Sequence, residues 1–95
     1  MPKGYVIGRL SVLDPEGYKV YAAKASEACK KHGGRFLVRG GSMDILEGEA
    51  RARNVVIEFD SFEQAKAYYR SPEYQEALKH RAGISVGDMV AVEGA

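Results

Sequence analysis

Apolar residues recur in two rhythms along this chain, and the changes between them mark out its elements. Residues 5–13 (YVIGRLSVL) are rich in β-branched and apolar side chains and read as a strand. From Asp14 the period lengthens. Tyr18, Tyr21, Ala22, Ala25, Cys29 and His32 form one stripe at helical spacing, while Lys19, Lys24, Glu27, Lys30 and Lys31 fall elsewhere on the wheel. Asp14 can cap free backbone N–H groups, Pro15 suits a first helical position and Glu16 favours the positive end of the dipole. These signals predict a helix from Pro15 to about His32, ended by a left-handed Gly33 or Gly34.

Short periods return at residues 35–39, a second strand closed by Gly40-Gly41, and residues 43–49 are expected to extend it into a hairpin arm turning near Gly48. Residues 54–60 (NVVIEFD) are the clearest strand. Ser61, with Gln64 three residues on, is a capping box opening a second helix with Phe62, Ala65 and Tyr69 on its inner face. Ser71-Pro72-Glu73 repeats the cap-plus-proline start, so that helix breaks and restarts. Tyr74, Ala77, Leu78 and Arg81 share a face of the restarted piece, Gly83 ends it, and residues 89–93 form the last strand.

The order is βαββαβ within a single domain over residues 1–95. Right-handed crossovers then give an α+β, ferredoxin-like fold: a four-stranded antiparallel sheet, both helical units on one face, and the third strand between the first and second. Strand alternation sorts the side chains. Val6, Gly8, Leu10, Phe36, Val38, Val55, Ile57 and Phe59 are expected under the helices, and Tyr5, Ile7, Arg9, Leu37, Arg39, Val56 and Glu58 on the open face. So apolar an open face needs cover, which predicts a homodimer packed sheet to sheet about a two-fold axis.

Composition narrows the classes of function. A formal net charge of +1 argues against a general electrostatic grip on nucleic acid or anionic lipid. No apolar run approaches membrane-spanning length, and the N-terminus leads into a strand pattern with no signal-peptide core. The single cysteine, Cys29, permits no intrachain disulfide and suits a reducing cytoplasm. It reads as a small buried hydrophobe, since a helix C-terminus would not lower the pKa of a reactive thiol. No cofactor is expected, because the two histidines, His32 and His80, form no recognisable zinc or iron set.

Several residues are candidates for chemistry. A tight turn near Gly48 would put Arg39 beside Glu58 on the open face, with Arg9 approaching from the other side, unless a bulge at Gly40-Gly41 shifts the register. That Arg-Glu-Arg cluster has two readings: an ion-pair network fixing the dimer, or an arginine holding an acidic ligand with Glu58 as base or orienting group. His32 is either a general base or a helix-end residue tied to backbone carbonyls. Tyr18, Tyr21, Tyr69 and Tyr74 face the sheet and are either core-edge residues or the lining of a small-ligand cleft between helices and sheet.

The segments HGGRFLVRGG (32–41), DPEGY (14–18), VIEF (56–59) and YRSPEY (69–74) together resemble the domain of unknown function 1330 family. The resemblance spans essentially the whole chain and implies membership of the dimeric α+β barrel superfamily. Hallmark positions of that family correspond here to Asp14, Tyr18, His32, Arg39, Glu58, Tyr74 and Arg81, among others, and Tyr68 stands where relatives commonly carry tryptophan. The resemblance brings no established reaction. Superfamily relatives include cofactor-free monooxygenases, haem-degrading enzymes and lactone isomerases, and fold alone does not choose among them.

The expected function is therefore binding of a small, acidic organic molecule in the helix–sheet cleft. The ligand-binding candidates are Arg39, His32, Tyr18, Glu58, Tyr69, Tyr74 and Arg81. The alternatives are a cofactor-independent oxygenase or isomerase, and a structural or regulatory dimer without a ligand. RNA binding, which the same element order serves elsewhere, is not expected, because the third strand offers Asn54, Val56 and Glu58 where base-stacking rings would stand.

Overall fold

The computed structural model describes residues 2–95. Its elements are β1 (Gly4–Val12), α1 (Pro15–Lys31), β2 (Arg35–Arg39), β3 (Arg53–Phe59), α2 (Phe62–Arg70), α3 (Pro72–Lys79) and β4 (Ser85–Glu93). The strands form one antiparallel sheet in the order β2-β3-β1-β4. This is the expected ferredoxin-like arrangement, with the third strand between the first and second.

Local chemistry starts each helix. The Asp14 carboxylate accepts from Gly17 N (3.3 Å), Ser61 Oγ from Gln64 N (3.1 Å) and Ser71 Oγ from Tyr74 N (3.1 Å). Proline occupies the opening of both α1 and α3. Gly33, with φ +77°, ends α1, and Gly34 N then donates to Cys29 O (2.9 Å). Gly34 is also packed closely: a Cβ there would lie 2.6 Å from Cys29 Sγ and 2.7 Å from the Phe59 ring.

The core lies between the helices and one face of the sheet. Val6, Leu10, Ile57 and Phe59 rise from the strands to meet Tyr21, Ala25, Ala28 and Cys29 of α1, with Ala65, Tyr68, Tyr74 and Ala77 from α2 and α3. Its largest members are aromatic. Tyr68 stacks near Phe59 and Tyr74, with centroids 5.2 and 5.0 Å away, so ring packing joins sheet to helices.

Three expectations need correction. Residues 43–49 form no strand; they lie in an exposed loop, with Leu46 92% exposed. Only Gly48, at φ +71°, turns there, and no partner strand pairs with the segment. β4 begins at Ser85 rather than Met89, because Leu13 N and Asp14 N bond Ile84 O and carry the β1 pairing through Val12 opposite Ser85.

The third correction matters most. No tight turn at Gly48 joins β2 to β3, and the strands pair in a different register from the expected one. Arg35, not Arg39, stands opposite Glu58 and Phe36 opposite Ile57, and a bulge between Phe36 and Val38 shifts the rest of the strand by one residue. Val38 then stands opposite Val56 and Arg39 opposite Val55. Val56 belongs to the open face and Val55 to the core. The bulge therefore moves Val38 out from under the helices and takes Arg39 off the open face.

Candidate functional site

The bulge in β2 puts Arg39 against α1. Its Nη2 donates to Ser26 Oγ, whose hydroxyl donates in turn to Ala22 O (2.8 Å), and its guanidinium lies 4.3 Å from the Phe36 ring centroid. A second guanidinium approaches from the start of β3. Arg53 Nε donates to Tyr18 Oη (3.0 Å), with its Cζ 5.0 Å from the Tyr18 ring centroid. Both arginines thus lie on aromatic faces, which orients the planar forks. Neither pairs with a carboxylate among the described residues.

Between these arginines a recess runs beneath α1. Its walls are Tyr18, Ala22, Ser26 and Phe36, its floor Leu10, Val55, Ile57 and Tyr68, and it encloses about 30 Å³. That is room for about one water, so the deep helix–sheet layer is nearly filled. Past Tyr18, Ala22 and Arg53 it adjoins a wider cleft of about 440 Å³ walled by Val12, Pro15, Lys19, Gly40 and Ala52. Gly40 has φ +67°, and a Cβ on it would come within 3.0 Å of Arg53 Cζ. Glycine at this position both closes β2 and leaves Arg53 its place at the mouth.

The other candidates lie apart from this cleft. Glu58 stays on the open face, where Arg35 donates to it through Nε (3.1 Å) and Nη2, and Tyr5 Oη donates to it at 3.0 Å. The bond from Arg35, then that from Tyr5, holds the Glu58 carboxyl below the ordinary carboxylate range. The partner of Glu58 is therefore Arg35, while Arg9 stands between Asn54 and Asp88.

His32 serves as the C-cap of α1, and its backbone N–H bonds Ala28 O and Cys29 O. Its ring Nε2 lies 3.0 Å from Glu73 Oε1, and Lys31 Nζ lies 2.7 Å from Glu73 Oε2. This clamp ties the end of α1 to the start of α3, and the bonds from Lys31 and His32 lower the Glu73 pKa to about 2. His32 thus faces α3 rather than the cleft. His80 is exposed at the end of α3.

Tyr74 is fully buried, its hydroxyl 2.8 Å from that of Tyr21 and 3.2 Å from Met89 Sδ. Burial pushes both phenols above their ordinary pKa. Tyr69 stacks on Tyr74 (4.9 Å) and lines a different cavity, beneath α2. Arg81 lies by Tyr21 and Met89, and its Nε is buried with no hydrogen-bond partner.

Of the seven sequence candidates, then, only Tyr18 and Arg39 meet at the α1 cleft. Arg53 and Ser26 complete the site and escaped the sequence reading. Arg53 precedes the apolar run that marks β3, and Ser26 falls beside the helical stripe rather than on it. The signal available for Arg53 was an unassigned cation one residue ahead of a strand that flanks β2. No group of three or more His, Cys, Asp or Glu placed to hold a metal occurs among the described residues. No described helix is long and apolar enough to cross a membrane.

The family described as "Domain of unknown function (DUF1330)" matches residues 3–95. No curated protein matches the chain. Among solved structures, a protein of unknown function from Rhodopseudomonas palustris superposes with a TM-score of 0.79 at 18% identity, over 99% of this chain and 83% of that one. SnoaB, a cofactor-independent oxygenase from Streptomyces nogalater, superposes at 0.67 with 10% identity, over 100% of this chain and 95% of SnoaB. A dimeric ferredoxin-like protein of unknown function from Thermobifida fusca superposes at 0.63 with 21% identity, covering 99% and 91%. At these identities the likeness is one of fold.

Proposed function

Because the chain belongs to the DUF1330 family, whose description assigns no activity, we propose its function from its own residues. It is a homodimer joined through the open sheet face, and it binds a small acidic organic molecule in the cleft beneath α1. The observation that carries the binding reading is the pair of guanidiniums, Arg39 and Arg53, each seated on a ring and neither answered by a carboxylate among the described residues, at the mouth of an apolar recess. Two planar cations so placed suit a carboxylate held by more than one N–H donor. Because the deep layer is nearly filled, the ligand seats at the mouth, with its apolar end towards Phe36 and Ala22.

No histidine, aspartate or glutamate lines the recess. Its own side chains therefore supply donors rather than a general base of ordinary pKa, which ranks binding ahead of oxygenase or isomerase chemistry. The dimer reading rests on the open face, where Leu37, Val38, Val86, Val90 and Val92 are all exposed. Similar folds are described as dimeric in Thermobifida fusca and Bacteroides fragilis. A free, buried Cys29 suits a cytoplasmic setting.

Calorimetric titration with benzoate, against its neutral counterpart benzamide, tests the binding reading. Benzoate is expected to bind and benzamide not. Arg53→Gln is expected to weaken benzoate about tenfold, the worth of one charge-assisted hydrogen bond. Equal binding of the two probes, or unchanged binding by the variant, overturns it.

A further inference from the structure

A second place in the molecule carries an unanswered cation, and it lies away from the α1 cleft. Beneath α2, Val6, Tyr69, Val90 and Ala91 wall a cavity of about 120 Å³ with Lys66 and Arg70 at its rim and Met89 as a further wall. Met89 also lines the recess beneath α1, so its side chain is the partition between the two spaces.

Behind that partition stands Arg81. Its Nε is the one buried side-chain nitrogen or oxygen without a hydrogen-bond partner among the described residues, and its Nη2 lies 3.9 Å from the Met89 sulfur. Tyr74 also spends its hydroxyl proton on that sulfur, at 3.2 Å, while its oxygen lies 2.8 Å from the Tyr21 hydroxyl. A thioether is a weak acceptor. The buried Nε of Arg81 has no partner at all, and a buried donor left without one is costly. Arg81 and Tyr74 would both gain by exchanging sulfur for an anionic oxygen. Methionine is the side chain best suited to yield the place, being unbranched and flexible, with no polar group to desolvate.

We propose that the cavity beneath α2 is a binding site for a small carboxylate with an apolar body, that Met89 is its gate, and that Arg81 and Tyr74 are its anion seat. The carboxylate displaces the Met89 thioether, accepts from Arg81 Nε, Arg81 Nη2 and Tyr74 Oη, and leaves its apolar body against Val6, Tyr69 and Ala91. Arg70 at the rim favours entry of an anion. This site is independent of the one proposed at Arg39 and Arg53.

The test is the methyl spectrum of the protein labelled at its methionine Cε groups. The chain has three methionines, and Met89→Leu assigns the Met89 signal. Adding benzoate to the wild type is expected to move the Met89 signal saturably while Met43 stays still, and benzamide is expected to move neither. Met89→Ala, which removes the gate, is expected to tighten benzoate, and Arg81→Gln to weaken it about tenfold or more. If Arg81→Gln fails to fold, Arg81→Lys keeps the charge but loses the fork, and an intermediate loss is expected. A Met89 signal unmoved at saturating benzoate, or moved equally by benzamide, overturns the proposal. If benzoate binding then proves sensitive to Arg53→Gln alone, the α1 cleft stands and only this second site falls.

Discussion

Arg35, and not Arg39, holds the carboxylate of Glu58. The two arginines are four residues apart on one short strand, yet the bulge between Phe36 and Val38 sends them to opposite sides of the sheet. One cation is thereby spent on the open face and the other is kept for the cleft. Their substitutions are expected to separate cleanly. Arg39→Gln should weaken benzoate and leave the solution mass unchanged, whereas Glu58→Gln should leave benzoate affinity unchanged. Calorimetry and sedimentation on the same two variants check this, and loss of benzoate binding in Glu58→Gln would contradict it.

Val90 lies on the open face of the edge strand β4, opposite Ile7, and is 51% exposed. Val90→Asp would place a charge inside a sheet-to-sheet interface with no partner to neutralise it. The wild type is expected to sediment at twice its 10.4 kDa chain mass and the variant at the chain mass, with an unchanged helical circular dichroism signal. A wild-type monomer at micromolar concentration contradicts the interface.

Gly40 couples the end of β2 to the cleft. Gly40→Ala adds a Cβ to a left-handed residue, at about 1–2 kcal/mol, and presses on the Arg53 guanidinium. A fall in unfolding free energy of that size, together with weaker benzoate binding, is expected from denaturant titration and calorimetry. Gly48→Ala is the control. It too has a positive φ, of +71°, but nothing lies within 4 Å of its would-be Cβ. It should be destabilised similarly and bind as the wild type does.

The clamp of Lys31 and His32 on Glu73 sets an acid limit. The folded Glu73 pKa is about 2 against an ordinary value of 4.5. A depressed folded pKa means that the unfolded chain takes up the proton first as pH falls. The stabilisation is then complete above pH 4.5 and is lost between there and about pH 2. Glu73→Gln is expected to lower the thermal midpoint at pH 7 and to flatten its decline over that window. An unchanged acid decline in the variant contradicts the assignment.

Much of this fold is legible in the sequence because its punctuation is chemical. Asp14, Ser61 and Ser71 cap the helices that their positions predict, Pro72 restarts a broken helix, and Gly33 stops α1 with a positive φ, whereas α3 ends at Lys79, capped by His80, four residues before the expected stop at Gly83. The β2 bulge is not legible. Arg35 to Arg39 alternates evenly, and the extra residue, Leu37, carries no glycine or proline to mark it. The glycine pair that suggests a bulge lies past the strand end. Two features therefore part Arg39 from Glu58: the long connection between Arg39 and Arg53, which sets a register in which Arg35 meets Glu58, and the bulge, which turns Arg39 to the core side beside Arg53 and Ser26. Residues 43–49 mislead for a related reason. Their apolar side chains read as strand, but a strand needs a partner edge, and the edge of β2 beyond Arg39 offers none.

The central claim is that Arg39 and Arg53 seat an acid beneath α1. Crystals grown with 4-bromobenzoate test it most directly, because bromine marks its own place by anomalous scattering. The predicted result is a bromine peak near Phe36 and Ala22, with the carboxylate within hydrogen-bond distance of Arg39 and Arg53. A peak confined to the open sheet face, or the absence of any peak beneath α1 at saturating ligand, would contradict it.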